Sequence, residues 1–195
     1  MGKIVYLMGK SSTGKDTLYK ELLKQDQVRL KPVISYTTRP IRDGERDGVE
    51  YFFTDEAGYR EFADKGIIVE ERSYATFHGR WRYFTVDEGQ FNSSAERCLM
   101  IGTLESYVRM KEYFGADRML PVMVELDDGV RLQRALDREK LQENPRYEEM
   151  CRRFLADSED FKESNMRQAG IDRVFRNDDL PRCLSEIIDY IAQCG

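Results

Sequence analysis

Histidine is almost missing from this sequence: His78 is the only one in 195 residues. A single imidazole excludes a histidine-based zinc site and any relay that needs two. Cysteine is scarce and scattered, with Cys98, Cys151, Cys183 and Cys194 far apart and no CxxC pair. They read as reduced thiols of a cytoplasmic protein, not as a disulfide framework. No stretch approaches the roughly 20 apolar residues that a membrane helix needs. The opening apolar run meets a glycine-bearing turn at once, without a small-residue cleavage site, so no secretory leader is expected. Positive charge is not in excess either, since the net charge is -5, which argues against general affinity for polynucleotides. What is present, 41% apolar residues, supplies the core of one domain, or of one domain with a small insertion.

Periodicity divides the chain. Ile4 to Met8 is an unbroken apolar run, as in a strand buried on both faces of a parallel sheet. A helix is predicted from Lys15 to about Gln25, with Leu18, Leu22 and Leu23 on one side, and a strand over Val33 to Tyr36. From Ser35 to about Arg97, aromatics alternate with polar residues and glycines, which predicts a smaller, partly antiparallel insertion. Strand and helix then alternate again. Strands are predicted at Leu99 to Gly102, Val122 to Leu126 and Val174–Phe175, with helices at Leu104 to Phe114 and Asp128 to about Lys140. After a break at Gln142 to Pro145, a helix is expected from Tyr147 to Ser164 with Met150, Phe154, Leu155 and Phe161 inward. The last helix places Leu184, Ile187, Ile188 and Ile191 on one face and Pro181 in its first turn. Such alternation implies an α/β fold with helices on both faces of a parallel sheet.

Gly9-Lys10-Ser11-Ser12-Thr13-Gly14-Lys15 matches GxxxxGK between a buried strand and a helix. In that context the loop amides and the helix N-terminus form an anion cradle, and Lys15 adds its charge to the β- and γ-phosphates of a nucleoside triphosphate. Gly9, Ser11, Ser12, Thr13, Gly14, Lys15, Asp16 and Thr17 are therefore the expected phosphate-binding residues. The position after the lysine, which ordinarily carries a Mg²⁺-ligating hydroxyl, holds Asp16. An anion there needs a cation beside it, so Asp16 is the candidate metal ligand.

Between Ser35 and Phe53, Arg39 and Arg42 flank Pro40 and can clamp one phosphate, Tyr51 adds a hydroxyl, and Asp43-Gly44 lies close by. In its order of residues the stretch resembles the monophosphate-binding segment of guanylate kinases, with TTR-x-x-R, an acidic DG and a tyrosine, and the resemblance runs over nearly the whole chain. It implies a P-loop three-layer fold with a parallel central sheet, a small mixed α/β insertion and a short lid. Residues 1–34 and 98–195 would then form the core, 35–97 the GMP-binding insertion, and about 138–150 the lid. It further implies that Arg39, Arg42 and Tyr51 hold the GMP phosphate, and that Ser35 and Glu70 read guanine. An altered G-x-Y-Y-G-[ST], with one extra residue, is carried by Gly79 to Thr85 and adds Tyr83 and Thr85 to the acceptor site. Arg134, Arg138 and Arg153 correspond to the lid arginines that act on the moving phosphoryl group, and Asn177 to the asparagine near the adenine of ATP.

A departure stands at the third strand, where the family's acidic DxD is Ile101-Gly102-Thr103, which leaves Thr103 at a base-contacting position. The resemblance implies ATP-dependent phosphorylation of GMP with Mg²⁺, by an enzyme whose partners are small nucleotides. Two alternatives remain at this stage. One is a ribose bisphosphokinase of the same superfamily, which shares the GKD loop and a non-acidic third strand but lacks the TTR-x-x-R clamp. The other is a guanylate-kinase-like binding module without turnover, which would be expected to lose the loop lysine or the lid arginines.

Overall fold

A computed structural model describes residues 2–42, 44–76, 79–92 and 97–194. Asp43 of the clamp stretch and the lone histidine, His78, lie outside the described residues. The elements in chain order are β1 (Ile4–Met8), α1 (Lys15–Leu22), β2 (Leu30–Pro32), β3 (Tyr36–Thr37), β4 (Phe52–Phe53), α2 (Glu56–Asp64), β5 (Ile68–Thr76), β6 (Gly79–Val86), β7 (Arg97–Gly102), α3 (Leu104–Phe114), β8 (Met119–Glu125), α4 (Asp128–Lys140), α5 (Tyr147–Asp160), α6 (Glu163–Ala169), β9 (Val174–Arg176) and α7 (Leu180–Gln193).

One sheet has the order β2-β7-β1-β8-β9 and all its pairings are parallel. The apolar run of β1 lies at its centre, with Ile4 opposite Cys98 on one side and Met119 on the other. Because strand side chains alternate, Ile4, Tyr6 and Met8 enter a core with Tyr107 and Met110 of α3, whereas Val5 and Leu7 meet Leu18 and Leu22 of α1 and Ile187 and Ile191 of α7. Each such side chain contributes about 1.5–3 kcal/mol when fully buried. Helices therefore cover both faces, and the α/β expectation is borne out.

A second sheet, β4-β3-β6-β5, is built on the antiparallel β5–β6 hairpin, with β3 and β4 parallel at its other edge. Its core is aromatic: Tyr36 stacks on Phe84 at 5.4 Å and meets Phe62 of α2 at 4.8 Å. Asp55 caps α2 by accepting from the Gly58 N–H at 2.8 Å. Among the described residues no helix is long and apolar enough to cross a membrane.

Three boundaries differ from expectation. Helix α1 ends at Leu22, after which bonds from Lys24 and Gln25 to carbonyls three residues back tighten the last turn. Of the strand expected at Val33 to Tyr36, only Tyr36 belongs to one, β3, and Val33 to Ser35 make the crossing between sheets: β2 pairs with β7 before it and β3 with β6 after it. The long helix from Tyr147 is broken at Phe161–Lys162, because Asn165 Nδ2 donates to the Glu159 and Asp160 carbonyls, both at 3.1 Å, and so closes α5. Leu155, expected inward, is 69% exposed, whereas Met150 and Phe154 are half-buried and Phe161 is buried, on the side where they were expected.

Candidate active site

The phosphate loop links β1 to α1. Gly14 has φ 86 and a Cβ there would lie 2.4 Å from Asn177 Nδ2, while a Cβ on Gly9 would lie 2.4 Å from the Val124 carbonyl oxygen. No larger side chain fits either place without moving the loop. Thr13 turns its hydroxyl onto the Lys10 carbonyl at 2.9 Å, and Asn177 Nδ2 donates to the Thr13 carbonyl at 2.7 Å. Asn177 thus holds the loop, and its buried Oδ1 has no partner. The Ser12 hydroxyl, on a residue with φ 64, is likewise buried without a partner. The N–H groups of Lys15 and Asp16 open α1, where no carbonyl lies a turn back to receive them. Lys15 is half-buried; Asp16 and Thr17 are exposed.

Arg131 is a residue the sequence reading missed. It is fully buried, donating from Nε to the Ser11 carbonyl at 2.9 Å and from Nη2 to Asp157 at 3.3 Å, with a further bond to Asp128. Its guanidinium lies 4.8 Å from the Phe154 ring centre, and Asp157 accepts from the Ser11 N–H at 2.7 Å. Only the inward-facing phase of α4 could have signalled it, and a charged residue argues against an inward phase.

The three arginines expected in the lid have different surroundings. Arg134 reaches over the loop, its Nη1 lying 3.8 Å from where a Gly14 Cβ would stand. Arg138 is exposed on α4, and Arg153 is exposed on α5, paired with Glu149 at 2.8 Å. Hydrogen bonds from Arg152 and then Arg153 pull the Glu149 carboxyl down to about 2.

In the acceptor region Arg39 is 3% exposed and grips Glu45 through both Nη atoms, at 2.7 and 2.6 Å. The Arg42 N–H donates to the same carboxylate at 2.9 Å, whereas the Arg42 side chain is exposed. The bond from Arg39 holds the Glu45 carboxyl below its ordinary range, partly offset by burial. Glu45, absent from the expected site, therefore sits in the fork expected for a phosphate. The Tyr51 ring lies 5.1 Å from the Arg39 guanidinium and meets Tyr83 edge-on at 5.6 Å.

Deeper in, Glu70 is 3% exposed and accepts from the Thr85 hydroxyl at 2.9 Å. The Ser35 and Thr85 oxygens are 3.0 Å apart, and since Thr85 has one proton, given to Glu70, Ser35 is the donor between them. Arg72 closes the chain, from Nε to Glu70 at 3.2 Å and from Nη1 to Thr103 at 3.0 Å. Thr103 also caps α3 by accepting from the Ser106 N–H at 3.2 Å. Its hydroxyl oxygen is therefore engaged by backbone and arginine.

Two openings flank these groups. One, of about 370 Å³, lies against the loop between Lys10, Thr13, Leu126, Asp128, Arg176 and Asp178. The other, of about 800 Å³, lies beside Thr103 and Tyr74, between α3 and the α5–α6 segment.

The guanylate kinase family model matches residues 1–86, which takes in the phosphate loop, the clamp stretch and the hairpin with Glu70 and Thr85. The guanylate kinase of Chlorobaculum tepidum is 28% identical over 98% of this chain and 93% of that protein. Over all but a few residues the polypeptide superposes on the guanylate kinase of Anaplasma phagocytophilum, with a TM-score of 0.65 at 19% identity, covering 98% of this chain and 85% of that one. In these comparisons the chain is similar to guanylate kinases. The guanylate kinase of Aromatoleum aromaticum is 43% identical over 81 residues, and that match spans 37% of the relative's length. The match to the guanylate kinase of Clostridioides difficile, 40% identical, spans 38% of that relative. The family match ends with β6, so Arg134, Arg138, Arg153 and Asn177 lie beyond it.

Proposed function

We propose that the chain is an ATP-dependent guanylate kinase that moves the γ-phosphoryl group of ATP to GMP, giving ADP and GDP. The observation that carries this reading is the series Ser35–Thr85–Glu70, a buried carboxylate held by the buried Thr85 hydroxyl, which half-buried Ser35 supports in turn. Guanine presents two adjacent donors, on N1 and the 2-amino group, and one carboxylate accepts both. The reading divides the chain into a core of residues 1–34 and 98–195, a GMP-binding insertion of 35–97, and a lid near 138–150. A cytoplasmic setting goes with it, consistent with Cys98, Cys151, Cys183 and Cys194 being thiols and not disulfides.

In-line phosphoryl transfer needs two nucleotides in register and charge stabilisation on the group in transit. The amides of Lys15 and Asp16 and the Lys15 ammonium hold the donor phosphates. The Asn177 Oδ1 is a buried acceptor left over for the amino group of the donor base. Arg39 and Arg42, with Tyr51, receive the acceptor phosphate, which enters by displacing Glu45 from the Arg39 fork. Arg134 reaches over the loop, and Arg138 and Arg153 join it when the lid closes and excludes water.

The residues at the loop fit Mg²⁺. Asp16 is exposed in the first turn of α1 and makes no ion pair or hydrogen bond among the described residues, with Thr17 beside it. No group of three or more His, Cys, Asp or Glu side chains there forms a protein-only metal cage, which suits an ion that takes most of its ligands from phosphate and water. Asp16 would hold it, and the ion would offset negative charge between carboxylate and phosphates.

The test is ADP formation from ATP with GMP, AMP or ribose 1,5-bisphosphate as acceptor. Turnover confined to GMP is expected. Preference for the ribose bisphosphate, or no turnover with any acceptor, would overturn the reading in favour of the sugar kinase or a binding module.

A further inference from the structure

Arg72 is a buried charge of the acceptor region to which no motif assigns a role. Its side chain is 9% exposed and that of its partner Glu70 is 0% exposed. Nε meets Glu70 Oε2, Nη1 meets Thr103, and the Tyr83 ring centre lies 6.0 Å from the guanidinium. The phenols of Tyr6 on β1, Tyr51, and Tyr74 on β5 also face this pair. Among the described residues Arg72 is the one cation in an ion pair with Glu70. Burial, the largest single influence, works against the charge on Arg72, but the Glu70 carboxylate and the Tyr6, Tyr74 and Tyr51 phenols together outweigh it, so the guanidinium is held above its ordinary value.

A carboxylate buried without a cation is costly enough that the group takes up a proton instead. The two forms read different purines. An ionised carboxyl only accepts hydrogen bonds; a protonated one offers one donor beside one acceptor. Guanine presents two donors at N1 and its 2-amino group, whereas adenine presents an acceptor at N1 beside a donor at its 6-amino group. Each Glu70 oxygen takes one internal bond, Oε1 from Thr85 and Oε2 from Arg72, and keeps lone-pair capacity for a base.

We propose that Arg72 sets the base specificity of the acceptor site: it keeps Glu70 an acceptor-only carboxylate, which selects guanine and refuses adenine. The inference rests on the guanylate kinase reading and adds to it a positioning residue that acts through Glu70 without touching the base.

Calorimetric binding of GMP and of AMP to the full chain, with turnover measured alongside, tests it. Wild type is expected to favour GMP strongly. In Arg72→Met the GMP-to-AMP ratio is expected to fall roughly a hundred-fold, with AMP binding gained and the KM for ATP unmoved. Arg72→Lys should restore most of the ratio. In a Glu70→Gln background, Arg72→Met should change the ratio no further. If Arg72→Met does not fold, Arg72→Gln, which keeps a polar link to Thr103, carries the same comparison. A neutral variant with the wild-type ratio, or one that weakens both nucleotides equally, overturns the inference. Wild type that binds no GMP would instead overturn the reading beneath it.

Discussion

Glu70, Asp16 and Arg134 are three single residues on which the proposed chemistry turns, and each makes a separate prediction. Glu70→Gln replaces an acceptor-only group by an amide, so kcat/KM for GMP should drop far more than the KM for ATP moves. A site built around a buried hydrogen bond discriminates by on the order of 10⁴-fold in favourable cases, and steady-state kinetics with both nucleotides reads the change. Asp16→Asn should raise the Mg²⁺ concentration needed for half-maximal rate; an unchanged requirement would mean that Asp16 merely favours the helix N-terminus by its charge. Arg134→Ala should lower kcat by about 10²–10³ while leaving the KM for GMP nearly unchanged, because the guanidinium reaches over the loop where charge builds up in transit. At this scale the sequence was most readable where a residue type has one dominant use. Lys15 after a glycine-bearing turn and Arg39 beside Pro40 are of that kind, whereas Glu70 was singled out only by the resemblance. Glu45, Arg72 and Arg131 were not legible, because each owes its role to a partner distant in sequence or hidden by burial. A charged residue in a charged stretch carries no local mark of being enclosed.

Helix α4 and helix α5 are held to the phosphate loop by one buried cation. Arg131 on α4 joins the Ser11 carbonyl, Asp157 on α5 and Asp128, and Asp157 returns to the Ser11 N–H. Removing one member of such a buried network leaves the others without their counter-charge, at a cost of roughly 3–5 kcal/mol. Arg131→Met is therefore expected to lower unfolding free energy by about that much, as read by urea denaturation, and also to raise the KM for ATP because the loop loses an anchor. A variant that is weakened in stability but normal in ATP use would separate the anchor from the loop's function. Elements with a strong period were legible: α3, α4 and α7 lie where the apolar spacing put them. The α5–α6 break was not, since it depends on Asn165 capturing carbonyls of the preceding helix and not on a proline or glycine. The crossing at Val33–Ser35 was missed for a related reason, because an apolar β-branched residue looks the same in a strand and between two sheets.

Across the whole molecule, ligand binding should appear as stability. A ligand that binds only the folded chain adds about 2.7 kcal/mol when present at a hundred times its Kd. GMP is expected to raise the Tm in a thermal-shift measurement, and AMP at the same concentration to leave it nearly unmoved. Equal shifts for both would place the binding energy on phosphate alone. The α/β layering was visible from the alternation of runs along the chain, whereas the strand order was not, since nothing local tells β1 which strands it will lie between. That order has a consequence for how the chain is made. Strand β1 pairs with β7 on one side and β8 on the other, whose first residues are Arg97 and Met119. During synthesis from the N-terminus, an apolar strand must wait for both neighbours while the intervening segment is already emerging. Closing so long a loop costs entropy before any pairing repays it, and non-local pairing of this kind slows folding. Until β8 emerges, Ile4 to Met8 has an unfilled edge, and a ribosome stalled near residue 110 would present it to chaperones or to other nascent chains.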